Sequence, residues 1–73
     1  MKSMTPLEMV KFQKFAEIIT NLLYGEYVYF EEDENNKCVT VRCGNRMYIV
    51  SDLEILSVKC LRVLCEHVVA NLY

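Results

Sequence analysis

The chain has no tryptophan, one proline, two glycines and one histidine among 73 residues. So little glycine and proline leaves no room for a linker, a low-complexity arm or a glycine-rich phosphate loop. One histidine removes the His-rich metal centres and leaves a single imidazole for acid–base work. Basic residues are also few: eight Lys+Arg stand against ten Asp+Glu, for a net charge of −2. Most nucleic-acid binders carry the opposite balance, because they must neutralise phosphates. No stretch approaches the ~18 uncharged apolar residues of a membrane span. The opening "MKSMTPLEMVKF" meets Glu8 and Lys11 before any apolar run develops, so it does not read as a signal peptide. These absences predict a single domain over residues 1–73, cytoplasmic, with no membrane contact and its four cysteines reduced.

What the chain does have is apolar content, 53% of its residues. A domain this short buries only about 60% of the surface its unfolded chain exposes, so its core gains from any further burial against a partner. Thr5-Pro6-Leu7-Glu8 has the form of a capping box with proline at the first helical position. Phe12, Phe15, Ala16, Ile19, Leu22 and Leu23 follow at helical spacing, and Gly25 stands where a left-handed cap would end the helix. The pattern predicts a helix from Pro6 to Tyr24.

The period then changes. "EYVYFEE", "KCVTVRC" and "RMYIV" are rich in β-branched and aromatic residues and are joined by Asp33-Glu34-Asn35-Asn36 and by Gly44-Asn45. They predict a three-stranded antiparallel meander. A four-residue first turn pairs Phe30 with Val39, and a two-residue second turn pairs Val41 with Tyr48 and Val39 with Val50. Both turns sort Val28, Phe30, Val39, Val41, Tyr48 and Val50 onto one face, the core. Tyr27, Tyr29, Glu31, Thr40, Arg42, Met47 and Ile49 fall on the other. Ser51-Asp52-Leu53-Glu54 reads as a second capping box, opening one helix that runs to the C-terminal end. Two apolar seams, Leu53/Leu56/Cys60/Leu64 and Val58/Leu61/Cys65/Val68/Leu72, predict burial on more than one side. The expected fold is an α+β two-layer sandwich of order α-β-β-β-α, both helices on one face of the meander.

The cysteines stand as two C-x4-C pairs, Cys38/Cys43 and Cys60/Cys65. On a strand, five residues separate Cα atoms by roughly 16 Å and turn the thiols to opposite faces. On a helix they differ by ~140° around the axis and ~7.5 Å along it. Neither pair can chelate one ion, and the thiols read as small core hydrophobes. Only a Cys43–Cys60 contact through the core is left open. A Cys60–His67 dyad is separated by ~10.5 Å along a continuous helix, too far for a hydrogen bond. No nucleophile elbow is present. A non-enzyme without metal or cofactor is expected.

Two surfaces remain as candidates. On the outer sheet face, Tyr27, Tyr29, Arg42, Met47 and Ile49 are residue types enriched at protein interfaces. At the first hairpin, Glu31, Glu32, Asp33 and Glu34 form an acidic loop able to dock a basic surface, or to keep a strand edge solvated. The predicted function is a protein–protein interaction module acting by surface occupation, with an unidentified protein or a second copy of itself as partner. In size, acidity and helix-plus-meander layout the chain resembles compact phage-encoded inhibitors of host nucleases, a likeness of shape and charge that no motif carries. It implies an accessory or inhibitory protein of a phage or mobile element. The element order is also similar to that of double-stranded-RNA-binding domains, but the second helix opens on acidic Ser51-Asp52-Leu53-Glu54 where phosphates would need cations. The alternative is a nucleic-acid-binding sheet, bases stacking on Tyr27 and Tyr29 beside Arg42 and Arg46.

Overall fold

The computed structural model describes residues 5–73 and has the predicted order: α1 (Pro6–Leu22), β1 (Val28–Asp33), β2 (Cys38–Cys43), β3 (Arg46–Ser51), α2 (Asp52–Ser57) and α3 (Leu61–Leu72). The strands form one antiparallel sheet in the order β1-β2-β3. The opening residues 1–4, on which part of the signal-peptide reading rests, lie outside the described residues. Among the described residues no helix is long and apolar enough to cross a membrane.

α1 begins as its sequence dictates. The Thr5 hydroxyl accepts the Glu8 N–H at 3.2 Å and the Glu8 carboxylate accepts the Thr5 N–H at 3.0 Å, which satisfies two orphan donors at once. It ends two residues before Tyr24. Leu23 takes the C-cap with its N–H still donating to the Ile19 carbonyl, and Gly25 adopts the left-handed φ of +87° that turns the chain away.

The second hairpin has the expected register, Val41 opposite Tyr48 and Val39 opposite Val50, with Gly44 at φ +63° in its two-residue turn. The first hairpin is displaced. Phe30 lies opposite Val41 rather than Val39, and Val28 opposite Cys43. The turn occupies Glu34–Lys37, one residue later than the composition suggested. Asp33 is the cause: its carboxylate accepts both the Asn36 N–H, at 3.0 Å, and the Asn36 side-chain amide, at 2.8 Å. Asp33 therefore closes the turn from the last position of the strand. Lys37 finishes the turn at φ 52°, its carbonyl accepting the Asp52 N–H. The slip is two residues in pairing, and because side chains alternate with period two, every residue keeps its face.

That face is the core. Val39, Val41 and Val50 are buried with Phe15, Ile19 and Leu23 of the α1 segment, Ile55 of α2, and Leu64, Cys65, Val68 and Leu72 of α3, in one cluster. Phe15 and Phe30 meet edge-on at 6.3 Å between ring centroids. The residues of alternate parity, Tyr27, Tyr29, Met47 and Ile49, stay exposed. The helices thus bury one side of the sheet and leave the other uncovered.

The single C-terminal helix is a correction. It is broken at Val58-Lys59-Cys60 into α2 and α3. Val58 turns to extended backbone (φ −66°, ψ 139°) and Cys60 becomes the N-cap of α3. Lys11 on α1 stabilises the break, its ammonium donating to the carbonyls of Leu56 at 2.7 Å and Val58 at 3.1 Å. A cation on the exposed carbonyls of a helix end offsets both their lost hydrogen bonds and the negative end of the helix dipole. The break redistributes the seams. Val58 and Leu61 are half-buried and Cys65, Val68 and Leu72 buried, but Leu53 is 74% exposed and Cys60 is exposed too. The Ser51 cap holds by one bond, Ser51 Oγ accepting the Glu54 N–H at 3.1 Å.

Candidate interaction surface

The uncovered sheet face is built in cross-strand rows. Tyr29, Arg42 and Met47 lie opposite one another across β1, β2 and β3, and Glu31, Thr40 and Ile49 make the next row. Tyr27 precedes β1, and its ring lies against that of Tyr29, centroids 5.6 Å apart and planes tilted by 47°. Fractional exposures of 80% for Tyr27, 44% for Tyr29, 51% for Met47 and 54% for Ile49 describe side chains standing in solvent rather than packing under a helix. The sequence-predicted set Tyr27, Tyr29, Arg42, Met47 and Ile49 is therefore assembled on one face.

Arg42 is not a free cation on it. Its guanidinium pairs diagonally with the Glu31 carboxylate, which raises the arginine pKa still further. The charges of the face thus cancel locally. What remains outward is aromatic and aliphatic, with phenol hydroxyls as its polar handles.

The acidic stretch is divided by the pleat. Glu31, Glu32 and Asp33 belong to β1, and only Glu34 lies in the turn. Glu31 is engaged by Arg42. Asp33 is engaged by Asn36, whose backbone and side-chain bonds hold its carboxyl below the usual range. Glu32, Asp33 and Glu34 rim a cleft of ≈ 360 Å³ whose apolar lining includes Met9, Phe12 and Cys38.

Arg46 lies elsewhere than the base-stacking arrangement requires. It shares the inner-face row of Val28 and Cys43, and its Nη1 donates to the carbonyls of Leu72 at 2.8 Å and Tyr73 at 3.0 Å. Its guanidinium also sits 5.8 Å from the Tyr73 ring centroid. Glu26 completes this clamp on the end of α3, accepting from the Tyr73 hydroxyl and, at 3.4 Å, from the Cys43 thiol. The phenol and thiol bonds lower the Glu26 pKa, and the same carboxylate raises that of Tyr73. The Cys43 thiol is pushed up by burial first and by Glu26 second.

All four cysteines are free thiols. Cys43 turns to Glu26 while Cys60 stands exposed at the start of α3, so the contact between them through the core does not form. Cys65 is buried, donates to the Phe15 carbonyl at 3.7 Å, and has its pKa raised to about 11 by desolvation. Among the described residues no group of three or more His, Cys, Asp and Glu side chains is placed to hold a metal ion. His67 meets Tyr48, its Nε2 3.3 Å from the phenol oxygen and the rings edge-on at 6.0 Å, and Asn71 donates to the His67 carbonyl at 2.9 Å.

The Lys11, Glu26 and Arg46 contacts were not legible in the sequence. Each joins residues far apart in the chain, and nothing local to the lysine, the glutamate or the arginine announces its partner. Comparison of the chain with protein-family models, curated proteins and solved structures finds no match.

Proposed function

We propose that this protein is a non-enzymatic binding module that occupies a partner protein's surface through the outer face of its sheet. One observation carries the reading: four large apolar or aromatic side chains, Tyr27, Tyr29, Met47 and Ile49, stand exposed together on the face the helices leave bare. An ion pair on that face, Arg42–Glu31, is internally satisfied. A surface of this kind gains by losing water and has few charges to desolvate, which favours a flat, largely apolar partner offering hydrogen-bond groups to the phenols. The nucleic-acid alternative needs cations beside the stacked tyrosines. Arg42 is committed to Glu31 and Arg46 to the end of α3, which counts against it.

The test is site-specific photocrosslinking. A photoreactive residue at Tyr29 should yield a defined protein adduct in the source cell, while the same group at Lys14, on the exposed side of α1, should not. The adduct should disappear on Tyr27→Ser combined with Met47→Ser. Equal adducts from both positions, or an adduct indifferent to the double substitution, refutes the reading.

A further inference from the structure

The helices cover the inner face of the sheet unevenly. Val39, Val41 and Val50 of β2 and β3 are buried, but on β1 Phe30 is only half-buried and Glu32 is exposed. A groove therefore runs between α1 and β1. The cleft of ≈ 360 Å³ at its hairpin end adjoins a second of ≈ 470 Å³ that reaches Phe15, Ala16, Phe30 and Val39, and Phe12, Gln13 and Glu32 line both. From Met9 at one end to Ala16 at the other is seven helical residues, about 10 Å along α1. The floor is apolar along this length, while the charge is confined to the hairpin end, where Glu32 and Asp33 stand. The Asn36 groups that bond Asp33 are neutral and leave its charge uncancelled. Among the described residues no lysine or arginine lines the groove.

We infer that this groove binds a short extended segment of a partner protein that carries an aliphatic side chain and, two residues away, an arginine or lysine. Alternate side chains of an extended segment point the same way, roughly 6.6 Å apart. The aliphatic group then lies over Ala16 and Phe30, and the cation reaches Glu32 and Asp33 with its stem across Phe12. Arginine and lysine suit such a place because their methylenes bury against apolar surface while the charged head meets the carboxylates. Three extended residues span about 10 Å, the length of the groove. The sign of its charged end excludes nucleic acid, whose phosphates would face carboxylates. A second copy of the chain is a poor occupant, since it carries a net charge of −2 and commits Arg42 to Glu31 and Arg46 to the end of α3. The groove lies on the opposite side of the sheet from the tyrosine face, so either surface can function without the other.

Titration of the isotope-labelled chain with two blocked pentapeptides, acetyl-Ser-Leu-Ser-Arg-Ser-amide and acetyl-Ser-Arg-Ser-Leu-Ser-amide, tests this by NMR, the two orders covering both directions along the groove. At least one should bind with a Kd of about 1 mM or tighter. It should shift the amides of Met9, Gln13 and Glu32 more than those of Tyr27 and Ile49. Replacing the peptide's arginine by glutamine, or its leucine by serine, should each weaken binding about fivefold or more. Glu32→Lys should do the same, and because Glu32 is exposed the fold tolerates the change. Glu66→Lys makes the same change of charge on the exposed side of α3 and should alter binding by about twofold or less. Failure of both peptides to bind overturns the inference, as do shifts centred on the tyrosine face. Equal losses from Glu32→Lys and Glu66→Lys also overturn it, since net charge alone would then attract the peptide. Binding indifferent to the loss of either the arginine or the leucine would likewise refute the pairing of apolar floor with charged end.

Discussion

Lys11→Met should loosen the joint between α2 and α3, with an effect large enough to measure. The ammonium donates to two carbonyls, Leu56 at 2.7 Å and Val58 at 3.1 Å, that have no helical partner because the helix stops there. A hydrogen bond from a charged group contributes roughly 1.5–3 kcal/mol when buried. Lys11 is only half-buried. Water can therefore replace part of each bond, and the low end of that range applies, about 3 kcal/mol for the pair. Freeing the long side chain returns about 1 kcal/mol of rotamer entropy. The net expectation is a loss of about 2 kcal/mol, or about 10 °C in melting temperature for a domain of this size. Urea titration of Lys11→Met gives the number, with Lys14→Met, on the exposed side of α1, as a control expected within about 0.5 kcal/mol of the parent. Amide exchange should also quicken at Val58, whose N–H donates to the Glu54 carbonyl at 3.1 Å, more than at Val68 in the core. If Lys11→Met matches the Lys14 control, the carbonyls are adequately solvated and Lys11 does not hold the break.

Three further outcomes follow from the same geometry. Val41→Ala, at a fully buried position, should cost about 2–3 kcal/mol, and Thr40→Ala beside it about 0.5 kcal/mol or less; the reverse order in urea would invert the faces of the sheet. The clamp on α3 should loosen at both pH extremes. Glu26 has a lowered native pKa, so its contribution is present above the unfolded carboxylate pKa and lost as pH falls through the native value. Tyr73 has a raised one, so its contribution is present below about pH 10 and lost above it. Glu26→Gln should flatten both limbs of a plot of melting temperature against pH, and an unchanged profile would remove the clamp from the account. Alkylation of the native protein should label exposed Cys60 first and Cys65 only on unfolding, since Cys65 is buried and its pKa is raised to about 11; mass mapping that finds early label at Cys65 would contradict the packing.

The elements legible in the sequence were those governed by neighbours along the chain. The Thr5–Glu8 capping box, the Gly44-Asn45 turn and the alternation of Val39 and Val41 with Thr40 and Arg42 each depend on residues within a few positions of one another. The outer face carrying Tyr27, Tyr29, Arg42, Met47 and Ile49 follows from that alternation. It survived a pairing error of two residues in the first hairpin, because a slip by a whole side-chain period returns each residue to its own side.

Tertiary structure decided what depends on distant groups. A continuous helix from Asp52 onward satisfied every local rule; at the break, Lys11, more than forty positions away, supplies donors to carbonyls a straight helix would have kept for itself. Arg42 and Arg46 look alike in sequence, yet one is neutralised by Glu31 on the sheet and the other is fixed on the last carbonyls of α3. Local sequence fixes backbone conformation through short-range sterics and capping bonds. Which charges remain free for a partner depends on how the folded chain brings distant groups together.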